Sequence, residues 1–238
     1  MSEEPKSEEV NGTSTPSPTT DGRLVPITLD DRPFSFVVLH SHLKDCITHE
    51  EVDLQYYILF YHEFYKFFNL LGTLFGFVAS DVEQKVKILK GLRESEEHGH
   101  QLHTVKSMLD YETENSLHKK NPNNGSRTLL RLHRALNFIY EFLTELCALE
   151  DEEKGLSHIC QDTYNRTLSH FHSWPIRKCV SMAAYALPTK KGLMHKAIQD
   201  PSEVTMITEI LPETLNSIQT VYDRCQQMYL ERELHDLP

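Results

Sequence analysis

From Phe34 onward, apolar residues recur at intervals of three and four, the period of an amphipathic helix. No run alternates with period two between hairpin turns, and glycine is scarce, at 9 of 238 residues. The pattern predicts a first helix near 34–46, a long aromatic one over 52–71, and a third over 73–92. Ser80 and Glu83 form an S-x-x-E capping box, which predicts a break in the third helix near Ala79. Further helices are predicted at 97–118, 126–149, 154–171, 175–186, 191–198 and 203–234. Asn121-Pro-Asn-Asn-Gly125 is the clearest breaker, Pro175 suits a first helical turn, and Pro188 ends that helix. The expectation is one all-α domain of about eight helices, residues 31–238.

Residues 1–30 read differently. They are rich in Ser, Thr, Pro and Glu, lack aromatics and show no amphipathic period. Such a segment buries too little apolar area to offset its ordering entropy, so a disordered tail is expected. The start, MSEEPKSEEV, has no apolar core of a secretory signal. Five dispersed cysteines without a C-x-x-C pair read as reduced thiols, and a cytosolic protein is expected. The greasiest stretch, 67–79, is too short to span a bilayer.

Charge narrows the function. Lys plus Arg is 24 and Asp plus Glu is 35, a formal net charge of −11. A general nucleic-acid binder shows a basic surplus, so none is expected here. Five of the acids lie between residues 3 and 21, against one lysine, so part of the −11 belongs to the tail.

Three constellations could carry chemistry. Arg127, Arg131 and Arg134 stand at i, i+4 and i+7 and share one helical face. Guanidiniums so placed repel one another unless anions sit among them, and Arg is suited to forked recognition of phosphate. From the spacing alone, a solvated basic face pairing with nearby glutamates is the favoured reading. Asp81 and Lys85 are also i and i+4; a helix-start acid with a salt bridge explains them without any ligand. The third constellation holds His170, His172 and Trp174, the only tryptophan, at a helix junction before Pro175. Trp174 reads either as core or as an interfacial anchor, with Arg177, Lys178, Lys190 and Lys191 as basic neighbours. The Phe-rich stripe that includes Phe67, Leu71, Phe75 and Val78 reads as core or as the lining of a lipid cavity.

Other signals point away from catalysis. His98, His100 and His103 have spacings unlike a zinc helix, and no metal or other cofactor is expected. No G-x-S-x-G, G-x-G-x-x-G or Walker motif occurs, so no enzyme is expected.

Taken together, FFNLLGTLFGFVASDVEQKVKIL (67–89), RTLLRLHRALNFIYEFL (127–143), YNRTLSHFHSWPIRKCV (164–180), ALPTKK (186–191) and the closing VYDRCQQMY and LHDLP resemble the glycolipid transfer protein superfamily. The resemblance covers about residues 34–238. It implies a two-layer helical sandwich whose layers part to admit the hydrocarbon chains of a sphingolipid. It implies that Asp81 bonds the sphingoid amide and hydroxyl, and that His172 bonds the amide carbonyl. In the phosphate-binding branch it implies that Lys85, Arg127 and Arg131 grip a phosphate. The glycolipid branch has Asn at the position of Lys85 and a sugar-stacking Trp at that of Arg131. By this resemblance the ligand is ceramide 1-phosphate. The chain pocket would include Phe67, Leu71, Phe75 and Val78, and the membrane contact Trp174, Arg177 and Lys178. The resemblance also implies a monomer acting from the cytosol, transiently on membranes such as the trans-Golgi and plasma membrane. A sensor or adaptor binding the same lipid, transfer of neutral glycosphingolipids, and a plain helical domain for an acidic partner remain alternatives. Arg134 is left to pair with a neighbouring acid, and the loop at 118–126 reads as an insertion outside the site.

Overall fold

Ser35 accepts a hydrogen bond from the Val38 N–H and starts α1 (Phe36–Cys46). In the computed structural model, which describes residues 26–238, the chain then reverses through two short strands. These are β1 (Ile47–Thr48) and β2 (Glu51–Val52), antiparallel with Ile47 opposite Val52. Two residues per strand are too few to show an alternating pattern, so the hairpin is invisible to periodicity. Arg224 holds it from outside, donating to the carbonyls of Thr48, His49 and Glu51 at 3.3, 2.6 and 2.9 Å.

Asp53 caps α2 (Leu54–Leu70) by accepting from the Tyr56 N–H at 3.0 Å. This helix buries Tyr57, Ile58, Phe60, Tyr61 and Phe64. It ends at Gly72, whose φ of +103° is open to glycine and strained for other residues. A 3₁₀ turn (Thr73–Phe75) leads into α3 (Gly76–Arg93), which runs unbroken through Ser80. The break expected near Ala79 is absent. Gly72 already makes the reversal, so Ser80 lies inside a helix with nothing to cap.

The helix expected over 97–118 is also divided. A 3₁₀ turn (Gly99–Gln101) precedes α4 (Val105–Glu114), which starts at a capping box of Thr104 with Ser107. Ser116, in the left-handed region at φ +56°, separates α4 from the short α5 (Leu117–Lys120). Next come α6 (Gly125–Ala148), α7 (Ser157–Thr167) and a 3₁₀ turn (Ser169–Phe171). They are followed by α8 (Trp174–Tyr185), with Pro175 in its first turn, and α9 (Lys190–Ala197), capped by Thr189. Finally α10 (Val204–Glu231) spans Pro212. The described residues thus form ten α-helices, where about eight were expected.

The helices pack around α2 and α6. α2 lies against α1 and α3; α6 touches α3, α4, α7 and α10; α10 returns to α1. Buried phenols tie the packing to backbone. Tyr61 donates to the Leu132 carbonyl at 2.6 Å, and Tyr229 to that of Ser126 at 2.7 Å. A smaller apolar cluster forms around Leu146, Leu156 and Leu193, and Phe67 and Leu143 pack against both it and the main core.

The expected tail splits into two parts. Residues 1–25 lie outside the described residues, whereas Ile27 and Asp30 belong to the fold. Ile27 is buried, and its N–H donates to Glu94 Oε1 at 2.7 Å. Lys66 Nζ donates to Asp30 Oδ1 and to Glu63 Oε1, each at 2.6 Å. The average composition of the segment hid these two residues, because a single apolar anchor and one ion pair leave no periodic signal.

The Asp30 carboxyl is held well below the usual carboxylate range, first by the Arg32 hydrogen bond and then by Lys66, against the opposing effect of burial. A depressed folded-state pKa contributes stability above the unfolded value of 3.8, and that contribution is lost as pH falls below it. The melting-temperature gap between wild type and Asp30→Asn should therefore be widest above about pH 5 and narrow steadily as pH falls toward about 2. Thermal denaturation across that range measures it.

Candidate functional site

On α3, Val82, Val86 and Leu89 face the core at i, i+4 and i+7, which turns Asp81 toward solvent. Lys85 follows one turn later. Its side chain is only 11% exposed, and its ammonium bonds the Asp81 carboxylate. His172 reaches the same place from another part of the chain. It sits in extended conformation between the Ser169–Phe171 turn and α8. Burial lowers its pKa, the Asp81 charge opposes this, and the Lys85 and His170 charges add to it. Asp81, Lys85 and His172 thus share one electrostatic neighbourhood. His172 is neutral near pH 7, with Nδ1 2.8 Å from the Tyr164 hydroxyl.

The arginines depend on how α6 begins. A buried carboxylate, Glu112 at the end of α4, accepts from the Gly125 and Ser126 N–H groups at 2.6 and 2.8 Å and from the Ser126 hydroxyl at 2.6 Å. It meets the positive end of the α6 dipole. A Cβ at position 125 would press on the Met108 side chain and the Glu112 carboxylate, so a larger residue there would force Met108 to move. Asn124 supplies the next cap, accepting from the Arg127 N–H at 2.8 Å. Arg127 Nε donates to the His118 carbonyl at 3.2 Å. The segment read as an insertion is therefore the seat of Arg127.

One turn on, Arg131 is exposed, and its Nη2 donates to the Pro238 carbonyl at 3.3 Å. Arg134 does not pair with an acid as expected. It donates to the carbonyls of His235 and Leu237 at 2.9 and 3.1 Å and lies 4.0 Å from the Phe171 ring centroid. Closing residues of the chain satisfy it instead.

The apolar residues divide into covered and uncovered sets. Phe67 packs on Phe34 with ring centroids 5.2 Å apart, and Leu71 joins the smaller cluster. Phe75 is buried and Val78 half-buried. Beside them Leu74 and Phe77 are exposed, and α8 packs against the turn that carries Leu74. Trp174 is not core. It is 64% exposed, and with Ile176, Met182 and Tyr185 it leaves α8 with an uncovered apolar surface. Arg177 and Lys178 are exposed there too, with Lys178 Nζ 5.7 Å from the Trp174 ring centroid. Lys190 and Lys191 are used elsewhere. Lys190 donates to the Leu149 carbonyl at 2.6 Å and Lys191 pairs with Glu153 at 3.0 Å, together holding the acidic 150–154 loop. Among the described residues no helix is long and apolar enough to cross a membrane.

The family model described as glycolipid transfer protein matches residues 52–199. The mouse ceramide-1-phosphate transfer protein is 36% identical over 216 residues, covering 87% of this chain and 98% of its own. This chain belongs to the glycolipid transfer protein family. The human ceramide-1-phosphate transfer protein is 35% identical over 211 residues, covering 86% and 97% of the two chains. The fold agrees. The crystal structure of the mouse protein in its apo-form superposes with a TM-score of 0.79 at 37% identity, over 86% of this chain and all of that one. A crystal structure of the human protein in complex with 12:0 ceramide-1-phosphate gives 0.76 at 34% identity, with the same coverage.

Within this glycolipid transfer protein fold, the expected headgroup residues fall into two sets. Asp81, Lys85 and His172 are brought together, while Arg127 and Arg131 stand on α6, which packs against α3. Sequence reasoning missed Glu112, Asn124 and Tyr164. Asn124 carries a legible signal, because Asn before a helical run is a favoured cap. Glu112 and Tyr164 carry none, because their partners lie 13 and 8 residues away across turns.

Removing Glu112 would leave two buried N–H groups and one hydroxyl unpaired. Glu112→Ala should destabilise the fold by about 2–4 kcal/mol. Chemical denaturation measures the loss, and one below about 0.5 kcal/mol would show that water replaces the carboxylate without cost.

Proposed function

We propose that this chain carries ceramide 1-phosphate between membranes as a monomer, without covalent chemistry. The observation that carries the reading is cationic: Lys85 beside Asp81 and His172 on one side, and Arg127 and Arg131 on the adjoining helix. Lys85 and the two arginines supply charge-assisted hydrogen bonds to a phosphate. Asp81 accepts from the amide N–H and hydroxyl, and His172 donates to the amide carbonyl. A lipid lacking those donors would leave the Asp81 carboxylate without them, which gives selectivity. Binding of phosphate also gives Lys85 a second anion beside Asp81.

The energetic need is in the hydrocarbon. Each CH₂ exposed to water costs about 0.8 kcal/mol, so roughly 30 of them oppose unaided desorption by more than about 20 kcal/mol. A carrier needs a dry place for the chains. Phe67 packs against both apolar clusters and Leu71 against the smaller one, and with Phe75 and Val78 they are the lining we assign. The uncovered surface of α8, with Trp174, Arg177 and Lys178, is the membrane contact. An indole is favoured at the membrane–water boundary, and the two cations favour anionic lipid. We place this activity in the cytosol, with transient visits to membranes such as the trans-Golgi and plasma membrane, as the family resemblance implies.

Transfer of labelled ceramide 1-phosphate between vesicles, compared with galactosylceramide, tests the reading. Wild type should move the first and not the second, and Arg131→Leu and Asp81→Val should each reduce transfer at least about tenfold. Binding without transfer would make the protein a sensor, and glycolipid preference would overturn the roles given to Lys85 and Arg131. In a separate measurement, Trp174→Ala should weaken adsorption to vesicles several-fold while leaving thermal stability unchanged, since its ring is largely in solvent.

A further inference from the structure

Tyr164 and His172 form a hydrogen-bonded pair within electrostatic reach of Asp81 and Lys85. Tyr164 is buried in α7, edge-on to Phe138 at 6.5 Å, and its hydroxyl is 2.8 Å from His172 Nδ1. Two arrangements fit that distance: the phenol donates to Nδ1, or a protonated Nδ1 donates to the phenol. Burial pushes the phenol up to about 12, against the opposing charge of Arg177, so it keeps its hydrogen. If the phenol oxygen only accepted, its own O–H would need another acceptor. Among the described residues the Tyr164 hydroxyl has no partner besides His172. A buried O–H left unpaired is costly and rare, so the phenol donates.

That choice fixes the far side of the ring. With Nδ1 accepting, the single ring hydrogen of neutral His172 sits on Nε2. Nε2 has no protein partner among the described residues, and the ring lies within the electrostatic reach of Asp81 and Lys85. We propose that Tyr164 is a positioning residue that locks His172 as an Nε2–H donor toward the ligand, so that the group bound there must be a hydrogen-bond acceptor such as a carbonyl. The ligand's identity rests on the function proposed above; the tautomer does not. Without the phenol, both neutral tautomers become accessible, and one of them presents a lone pair to a carbonyl and repels it.

Nitrogen NMR of the ¹⁵N-histidine-labelled full chain, free of lipid, reads the tautomer directly. Wild type should show His172 protonated on Nε2, and Tyr164→Phe should show a mixture. Vesicle transfer should fall about fivefold in Tyr164→Phe for ceramide 1-phosphate, and be unchanged for sphingosine 1-phosphate, which has no amide carbonyl. In a His172→Leu background the Tyr164→Phe change should have no further effect on transfer. A wild-type ring protonated on Nδ1 overturns the proposal, even if the variant does not fold. So does an unchanged tautomer in a folded Tyr164→Phe protein, or an additive double variant. Failure of the wild type to transfer ceramide 1-phosphate overturns the proposed function and leaves the tautomer measurement standing.

Discussion

A carboxylate taken out of water must find donors, and the donors Glu112 finds are the first N–H groups of α6. That contact fixes where the longest central helix begins. From this start follow the register that points Leu129, Leu132 and Leu136 inward and the turn that hands Arg127 its cap and the His118 carbonyl. The phenols of Tyr61 and Tyr229 then clamp the same helix by its own carbonyls, each of which has a second lone pair to accept from outside without losing its internal bond. α6 is thus held by polar contacts along its first three turns, where its cations project. The apolar core beneath supplies adhesion, and these bonds supply position.

The arginines of α6 differ in how far the fold already uses them. Arg134 has two carbonyls and an aromatic face, so it is spent on the fold. Arg127 has one backbone acceptor for five donors, and Arg131 one acceptor at the surface. The unsatisfied donor capacity therefore rises toward the arginines that lie nearer α6's start and toward solvent. Net charge says nothing about this. A chain of −11 overall can present a phosphate site if its acids are elsewhere, as those of the 150–154 loop are, held by Lys190 and Lys191.

Much of this was legible beforehand, for identifiable reasons. Helices α1, α2, α6 and α10 announced themselves through long amphipathic periods, and the nearness of Asp81, Lys85 and His172 followed from spacing and family resemblance. The misreadings share a cause. The break at Ser80, the single helix over 97–118 and the tail boundary at residue 30 all turned on one residue acting through a distant partner or a backbone angle. Gly72 took the turn assigned to Ser80; Thr104 and Ser116 divided the fourth helix; Ile27 and Asp30 were fastened by Glu94 and Lys66. Periodicity averages over such residues. Trp174 was undecidable for the same reason: its exposure depends on what α8 packs against, which no local pattern encodes.

The carbonyl contacts of Arg131 and Arg134 have a consequence for the order in which the molecule is made. Their acceptors are separated from them by 101 to 107 residues, so both arginines leave the ribosome long before the groups that will restrain them. Closing so long a loop is slow, and non-local contacts of this kind delay folding. During that interval α6 would carry two unrestrained guanidiniums, Arg131 and Arg134, beside an unfinished core, while Arg127 already has the His118 carbonyl. The cationic face is therefore completed only with the last residues made, together with the core itself, which takes Ile218, Val221, Tyr229 and Leu234 from the same stretch.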